Sequence, residues 1–377
     1  MNYNHLKSVF GCRFDDLFQV SEHEIREVMN FVTREREKEE KHRDEWGNWD
    51  GQFAENVDEL QVPIVDVKWR NKNRWTWEGR GSFCLLITHD VDSLDSRSIS
   101  DRLRRIFRCE SDNRLRLILG LFKRLLPVGR CKPWDFQTWL SCEDKYGYKS
   151  TWFVFPDVVG QYASQDCAYR WHDKVHWNPI EKIILEDALL RLMKFGCEVG
   201  MHGSYYASIN SDMMSEQCCK FKDKLGIENL SHRNHYLRYN PLITPSIHQR
   251  AGFKIDSTIG LNRHVGFRSG TSFPHYQWCP INGAVTEVLE IPLVIQDGAL
   301  LDKSGSVMSY YKARDVCFRI MDCVERVGGC YTILFHPDSQ ESSCRWDLFE
   351  CILEESNKRG AWGPTLSEAA TVWLDKC

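Results

Sequence analysis

From residue 83 onward, short apolar runs alternate with longer stretches of helical periodicity, and this alternation organises the chain. The runs "FCLLI" (83–87), "STWFVF" (150–155), "CEVGMHG" (197–203), "LSHR" (230–233), "KIDSTIG" (254–260), "LEIPLVI" (289–295) and "CYTILFH" (330–336) read as about seven strands. Between them lie patterns such as "DFQTWLSCEDKYG", "PIEKIILEDALLRLMKFG" and "YYKARDVCFRIMDCVERVGG", with apolar residues at helical spacing. Repeated βα units of this kind imply a parallel sheet. Polar residues gather just after many of the strands, which favours a closed or nearly closed α/β barrel over an open doubly wound sheet.

Two regions break the rhythm. Residues 1–79 read as a helical or irregular appendage: Ser21 and Glu24 form a capping-box pattern, Ile25, Val28, Met29 and Val32 follow at helical spacing, and a charged run, "TREREKEEKHRDE", comes next. Within the barrel, 80–377, residues 97–132 carry eleven Lys or Arg against three acids, with Leu and Ile at amphipathic spacing. This basic helical insertion suits a surface helix pair packed on the barrel, or a contact with anionic lipid or glycan.

Composition narrows the class. With 377 residues, 42% hydrophobic content and 14 tryptophans, the chain can bury a large core. A formal charge of −4 gives no global argument for nucleic acid. No stretch has the length of a signal-peptide core or of a membrane span, so the expectation is a cytoplasmic protein, with membrane association only through 97–132. Sixteen cysteines without a C-x-x-C pair, in a chain this long, read as buried free thiols. No Gly-x-Gly-x-x-Gly follows a strand, which removes support for a dinucleotide fold.

The candidate chemistry sits at the strand ends: "THDVD" (88–92), "EVGMHGSYYAS" (198–208), "RNHYLRY" (233–239), "DSTIG" (256–260) with "GFRSGT" (266–271), and "ILFHPD" (333–338). Asp and His in such places supply oxygen and imidazole ligands of the kind that zinc, manganese or cobalt accept. An arginine beside a carboxylate keeps it ionised and oriented, and a histidine has the intrinsic pKa to give up a proton. Asp90 and Asp92 would also serve as turn formers, Arg233 and Arg268 as structural ion pairs, and Tyr206 as a packing aromatic. His172 and His176, four apart, offer a further pair of loop ligands.

In this order the motifs resemble the polysaccharide deacetylase (NodB-homology) family over roughly residues 80–375. The resemblance implies a distorted (β/α)7 barrel and a divalent cation, zinc first, with manganese or cobalt as alternatives. It also implies hydrolysis of an acetyl or other small acyl group from an N-acetylated carbohydrate or glycoconjugate, with no nucleic-acid partner. Asp90 then corresponds to the general base and Asp92 to a metal ligand, or the reverse, because Val91 separates two acids that are usually adjacent. His202 corresponds to the first metal histidine, while the second position holds Tyr206, so the third ligand is open. Arg233 corresponds to the arginine that holds the base, with His235 where a proline is common. Leu334 and His336 correspond to the Leu-x-His motif, whose histidine is the general acid. Tyr206, Arg268 and Leu334 are the expected substrate contacts. Two other readings remain at this stage: a cation-free hydrolase of linear amide or ureide bonds, and a non-catalytic glycan-binding barrel.

Overall fold

The computed structural model describes residues 3–38, 43–49, 57–71, 74–94, 133–157, 166–167, 169–301 and 308–375. The basic insertion 97–132 lies outside them. Eleven strands are described: β1 (Cys84–Val91), β2 (Ser150–Val154), β3 (Lys174–His176), β4 (Lys182–Ile184), β5 (Glu198–Gly203), β6 (Ser231–Asn234), β7 (Ile255–Asp256), β8 (His275–Cys279), β9 (Ala284–Glu290), β10 (Ile295–Gln296) and β11 (Cys330–Leu334). Nine form one sheet in the order β10-β11-β1-β2-β5-β6-β7-β9-β8; β3 and β4 form a separate hairpin. Every pairing in the large sheet is parallel except β8 on β9.

The sheet curls strongly. Only Ile291–Val294 separate β9, which pairs with β7, from β10, which pairs with β11, so one stretch of chain reaches from one side of the sheet towards the other. Backbone bonds follow the curl: Ile291 donates to Asp256 O at 2.8 Å, Leu293 to Ile259 O at 3.0 Å and Val294 to Thr332 O at 3.0 Å. Leu237 after β6, Leu293 and Leu334 of β11 meet as a small buried cluster inside the curve. The architecture is a mixed α/β fold with a half-barrel sheet. β1 and β2, neighbours in its interior, are buried at every position, as expected of parallel strands covered on both faces.

Helices cover the outside. Phe136–Asp144 begins at Asp135, whose side chain accepts from the Thr138 N–H, and Tyr310–Val327 ends at Gly328 with φ of +83°. The N-terminal segment packs directly on the sheet: Leu6, Phe10, Phe14 and Phe18 share a core with Phe273, Leu289 and Trp373. The capping-box pattern at Ser21 forms contacts, with the Ser21 N–H donating to Glu24 Oε2 at 3.0 Å, but the helix it precedes starts only at Ile25. Twelve described cysteines are free, as expected, whereas Cys12 is disulfide-bonded. Among the described residues no helix is long and apolar enough to cross a membrane.

Candidate active site

β1 does not stop where its apolar run stops. It continues through Thr88, His89 and Asp90 to Val91, so alternation along the strand sorts these polar side chains onto opposite faces. Thr88 and Asp90 point into the curve and His89 points out. His89 donates from Nδ1 to Phe335 O at 2.7 Å, places Nε2 2.8 Å from Glu143 Oε1, and is packed between Trp139 and Trp152. It belongs to the layer between sheet and helices.

Inside the curve, Arg233 of β6 is fully buried and every guanidinium nitrogen is used. Nε donates to Ser257 O at 2.8 Å, Nη2 to Ser257 Oγ at 2.9 Å, and Nη1 to Thr88 Oγ1 at 2.8 Å and Asp90 Oδ1 at 2.9 Å. The side chain crosses two strands, passing over the Phe153 ring at 4.5 Å. Gly200 of β5 makes this crossing feasible, since a Cβ there would meet the Phe153 ring at 2.7 Å. Gly203 has a related role, for its Cβ would lie 2.5 Å from His232 Nε2. The glycines flanking His202 are thus explained by close packing.

Asp92, just past β1, is ringed by imidazoles. His202 Nε2 lies 3.5 Å and His235 Nε2 3.7 Å from Asp92 Oδ1, and His336 Nε2 lies 3.6 Å from Oδ2. His202 also places Nε2 3.9 Å from Asp90 Oδ2. Each ring is oriented from behind. His202 donates from Nδ1 to Arg233 O at 3.0 Å, and His235 from Nδ1 to Asp166 Oδ1 at 3.3 Å, leaving both Nε2 atoms towards Asp92. Burial alone would raise the Asp92 pKa, but His202, His235 and His336 outweigh it and hold the carboxyl well below the usual range. For His202, burial pulls the pKa down while Asp90 and Asp92 push it up, and the net direction is up.

His336 follows β11 and pairs with Asp297, which follows β10. Its Nδ1 donates to Asp297 Oδ1 at 2.7 Å, and its backbone N–H reaches Oδ2 at 3.2 Å. Asp297 is fully buried, and Ser339 and Arg345 hold its other oxygen. Burial works against the imidazolium, but the charge of Asp297, with Asp92 and Asp90 behind it, pushes His336 up to about 10. A cleft of about 200 Å³ opens over Asp90, Asp92, Ser93, Gly298, His336 and Asp338.

Asp90, Asp92, His202, Arg233 and His336, drawn from four separate stretches of sequence, therefore converge. Tyr206 does not take the place of a ligand: it is 44% exposed, with its ring edge-on to Tyr205. Arg268 is buried against the N-terminal segment, donating from Nε and Nη2 to the two oxygens of Glu37 at 2.9 and 2.8 Å. Leu334 packs on Leu237 and Leu293. His172 is exposed and His176 ends β3; neither joins the cluster.

Four residues join the site that sequence reasoning did not place there. His235 directs its Nε2 at Asp92 in the open ligand position; its place two residues beyond Arg233 at a strand end was the available signal. Asp166 holds His235, Cys167 brings its Sγ within 4.8 Å of donor atoms on both Asp92 and His235, and Asp297 holds His336. Asp166 and Cys167 come from a loop without periodicity.

The donor set fits a cation. Asp92 Oδ1 is a buried carboxylate oxygen without a hydrogen-bond partner, and its imidazole neighbours stand at or beyond the outer limit of hydrogen bonding. Two ligands about 2.1 Å from a shared tetrahedral ion lie about 3.4 Å apart, close to these separations.

No family model matches the chain, and no curated protein matches it by sequence. Solved structures do match. A protein of Mycobacterium smegmatis assigned as a polysaccharide deacetylase superposes with a TM-score of 0.52 at 16% identity, covering 80% of this chain and 94% of its own. The Puue allantoinase superposes at 0.50 with 12% identity, over 81% and 94%. A protein of Pseudomonas aeruginosa PAO1, also assigned as a polysaccharide deacetylase, superposes at 0.50 with 11% identity, over 81% and 95%.

Proposed function

For a chain that shares the polysaccharide deacetylase fold, we propose a metal-assisted hydrolase that removes an acetyl or other small acyl group from an N-acetylated sugar of a polysaccharide or glycoconjugate. The observation that carries this reading is the separation of roles between the two acids. Arg233 grips Asp90, while His202, His235 and His336 surround Asp92. In this reading the curled sheet is a distorted (β/α)7 barrel with an N-terminal appendage, 1–79. The enzyme works in the cytoplasm, and the basic segment 97–132 provides any contact with an anionic membrane.

Asp92, His202 and His235 would hold the cation, with zinc first and manganese or cobalt as alternatives. When bound, it supplies a Lewis acid for the acyl carbonyl and acidifies water. Asp90, aimed by Arg233, takes the proton of the attacking water. His336 is an imidazolium at neutral pH and faces the cleft with Nε2, from where it protonates the departing amine nitrogen. Asp297 fixes the orientation of the ring by accepting the hydrogen bond from its Nδ1–H, as a buried carboxylate behind a histidine does in other hydrolases.

The test is acetate release from a panel of N-acetylhexosamine glycans and nucleotide-sugars, with and without added zinc. Release that depends on zinc and is lost in Asp90→Asn is the expected result. Silence across the panel from folded, cation-loaded protein would overturn the proposal.

A further inference from the structure

Cys167 stands apart from the other described cysteines. It is fully buried, and its Sγ, an Asp92 carboxylate oxygen and a His235 ring nitrogen all lie within 4.8 Å of one another. The thiol approaches the Val91 carbonyl at 3.9 Å, but that oxygen already accepts a short bond, 2.6 Å, from the Tyr169 hydroxyl. The sulfur thus lies beside the end of β1 with an acid and an imidazole close by. Three neighbouring residues of one loop converge here: Asp166 on the back of His235, Cys167 beside its front, and Tyr169 bracing the strand end that carries Asp92.

Four residues beyond His202, Tyr206 is half exposed with its ring edge-on to Tyr205, and the second imidazole beside Asp92 Oδ1 is that of His235. The sulfur, on the same side of Asp92 as His235, is the next donor within reach.

We propose that Cys167 is itself a metal ligand of this site, its thiolate joining Asp92, His202 and His235; the inference rests on the reading of the site as a metal centre. Binding releases the thiol proton to solvent as the sulfur takes up the cation. A carboxylate–imidazole–thiolate set differs from an all-oxygen and imidazole set in selectivity. Thiolate favours zinc and cobalt over magnesium, calcium and manganese, which prefer oxygen.

The experiment uses the full-length protein stripped with a chelator and titrated with cobalt(II), then loaded with zinc for X-ray absorption. The expected result is visible d–d bands reaching one cobalt per chain, accompanied by a near-ultraviolet thiolate-to-cobalt charge-transfer band. Cys167→Ser should lose the charge-transfer band and keep the d–d bands. The zinc protein, which requires no substitution, should show a sulfur neighbour at about 2.3 Å. A loaded site with d–d bands but only nitrogen and oxygen neighbours overturns the inference and leaves the metal centre standing. A charge-transfer band that survives in Cys167→Ser overturns it as well, because another thiol then supplies the sulfur. Failure of folded protein to take up either metal overturns the metal-centre reading and this inference together.

Discussion

The guanidinium of Arg233, rooted on β6, and the carboxylate of Asp90, on β1, meet at 2.9 Å across two intervening strands. Both are buried, and Thr88 and Ser257 take up the rest of the fork. Such a pair stabilises little relative to apolar packing, but removing one partner leaves the other charge buried and alone. Arg233→Met is expected to lower stability by about 3–5 kcal/mol in urea unfolding, by that mechanism. Arg233→Lys keeps the charge but loses the fork, so it should fold better and still turn over poorly. The paired measurements are the unfolding midpoint and kcat.

His336 depends on Asp297 for its proton. The carboxylate raises the imidazole to about 10, so the acid form is present across neutral pH and is lost only as pH rises through that value. Asp297→Asn removes the charge that does this. The alkaline limb of the pH–rate profile should move to lower pH, and kcat should fall by about 10²–10⁴, the range for a general acid. An alkaline limb that stays in place would show that another group protonates the leaving amine.

Asp166 touches His235 rather than the reacting atoms and acts as a positioning residue. Partners of this kind typically contribute 10–100-fold in metal affinity. Asp166→Asn should therefore weaken zinc binding by roughly that factor in a chelator competition, with KM for the substrate unchanged in zinc-saturated protein. His235→Gln should weaken binding further, since it removes a donor outright.

The difference between what could and could not be read from the chain lies in the kind of contact. β1, β2 and β11 announce themselves because a buried parallel strand is a continuous apolar run, and Asp90 and His336 inherit their positions from two of those runs, whereas His202 on β5 and Arg233 on β6 lie on strands that only the alternation with helical stretches marks. The end of β1 was harder. Its apolar run stops at Ile87, while the strand goes on to Val91, held by β2 pairing from Ile87 to Val91. That extension turns His89 away from the site. Asp166 and Cys167 reach the cluster by the path of a loop, and Arg268 meets Glu37, 231 positions earlier; neither leaves a local periodicity to read.

Acid should weaken the fold through two buried histidines. Burial pushes His248 and His275 down to about 4, against about 6.5 in an unfolded chain. Between those values the unfolded state binds more protons, so the stability present above pH 6.5 is lost as pH falls towards 4. Asp66 opposes this, because burial raises it to about 7 and its protonation favours the fold as pH drops. The informative quantity is thus the difference between wild type and a variant. His275→Asn should flatten the decline in unfolding free energy between pH 7 and 4.5 by roughly 2–3 kcal/mol. An unchanged slope would mean that His275 takes up its proton equally in the folded and unfolded states.

Glu37 and Arg268 form a further buried pair of consequence, because it ties the N-terminal segment to the loop after β7. The bonds are bidentate and both side chains are almost fully buried. Glu37→Gln leaves the guanidinium without a counter-charge and should lower stability by about 3–5 kcal/mol. Protease cleavage should then begin within residues 3–38, where the anchoring is lost. The double variant Glu37→Met with Arg268→Met replaces both charges by apolar groups and should recover most of the loss. It also separates anchoring from catalysis. If Arg268 serves only to anchor, the double variant retains the KM of the parent, whereas a rise in KM with the fold intact would place Arg268 on the substrate.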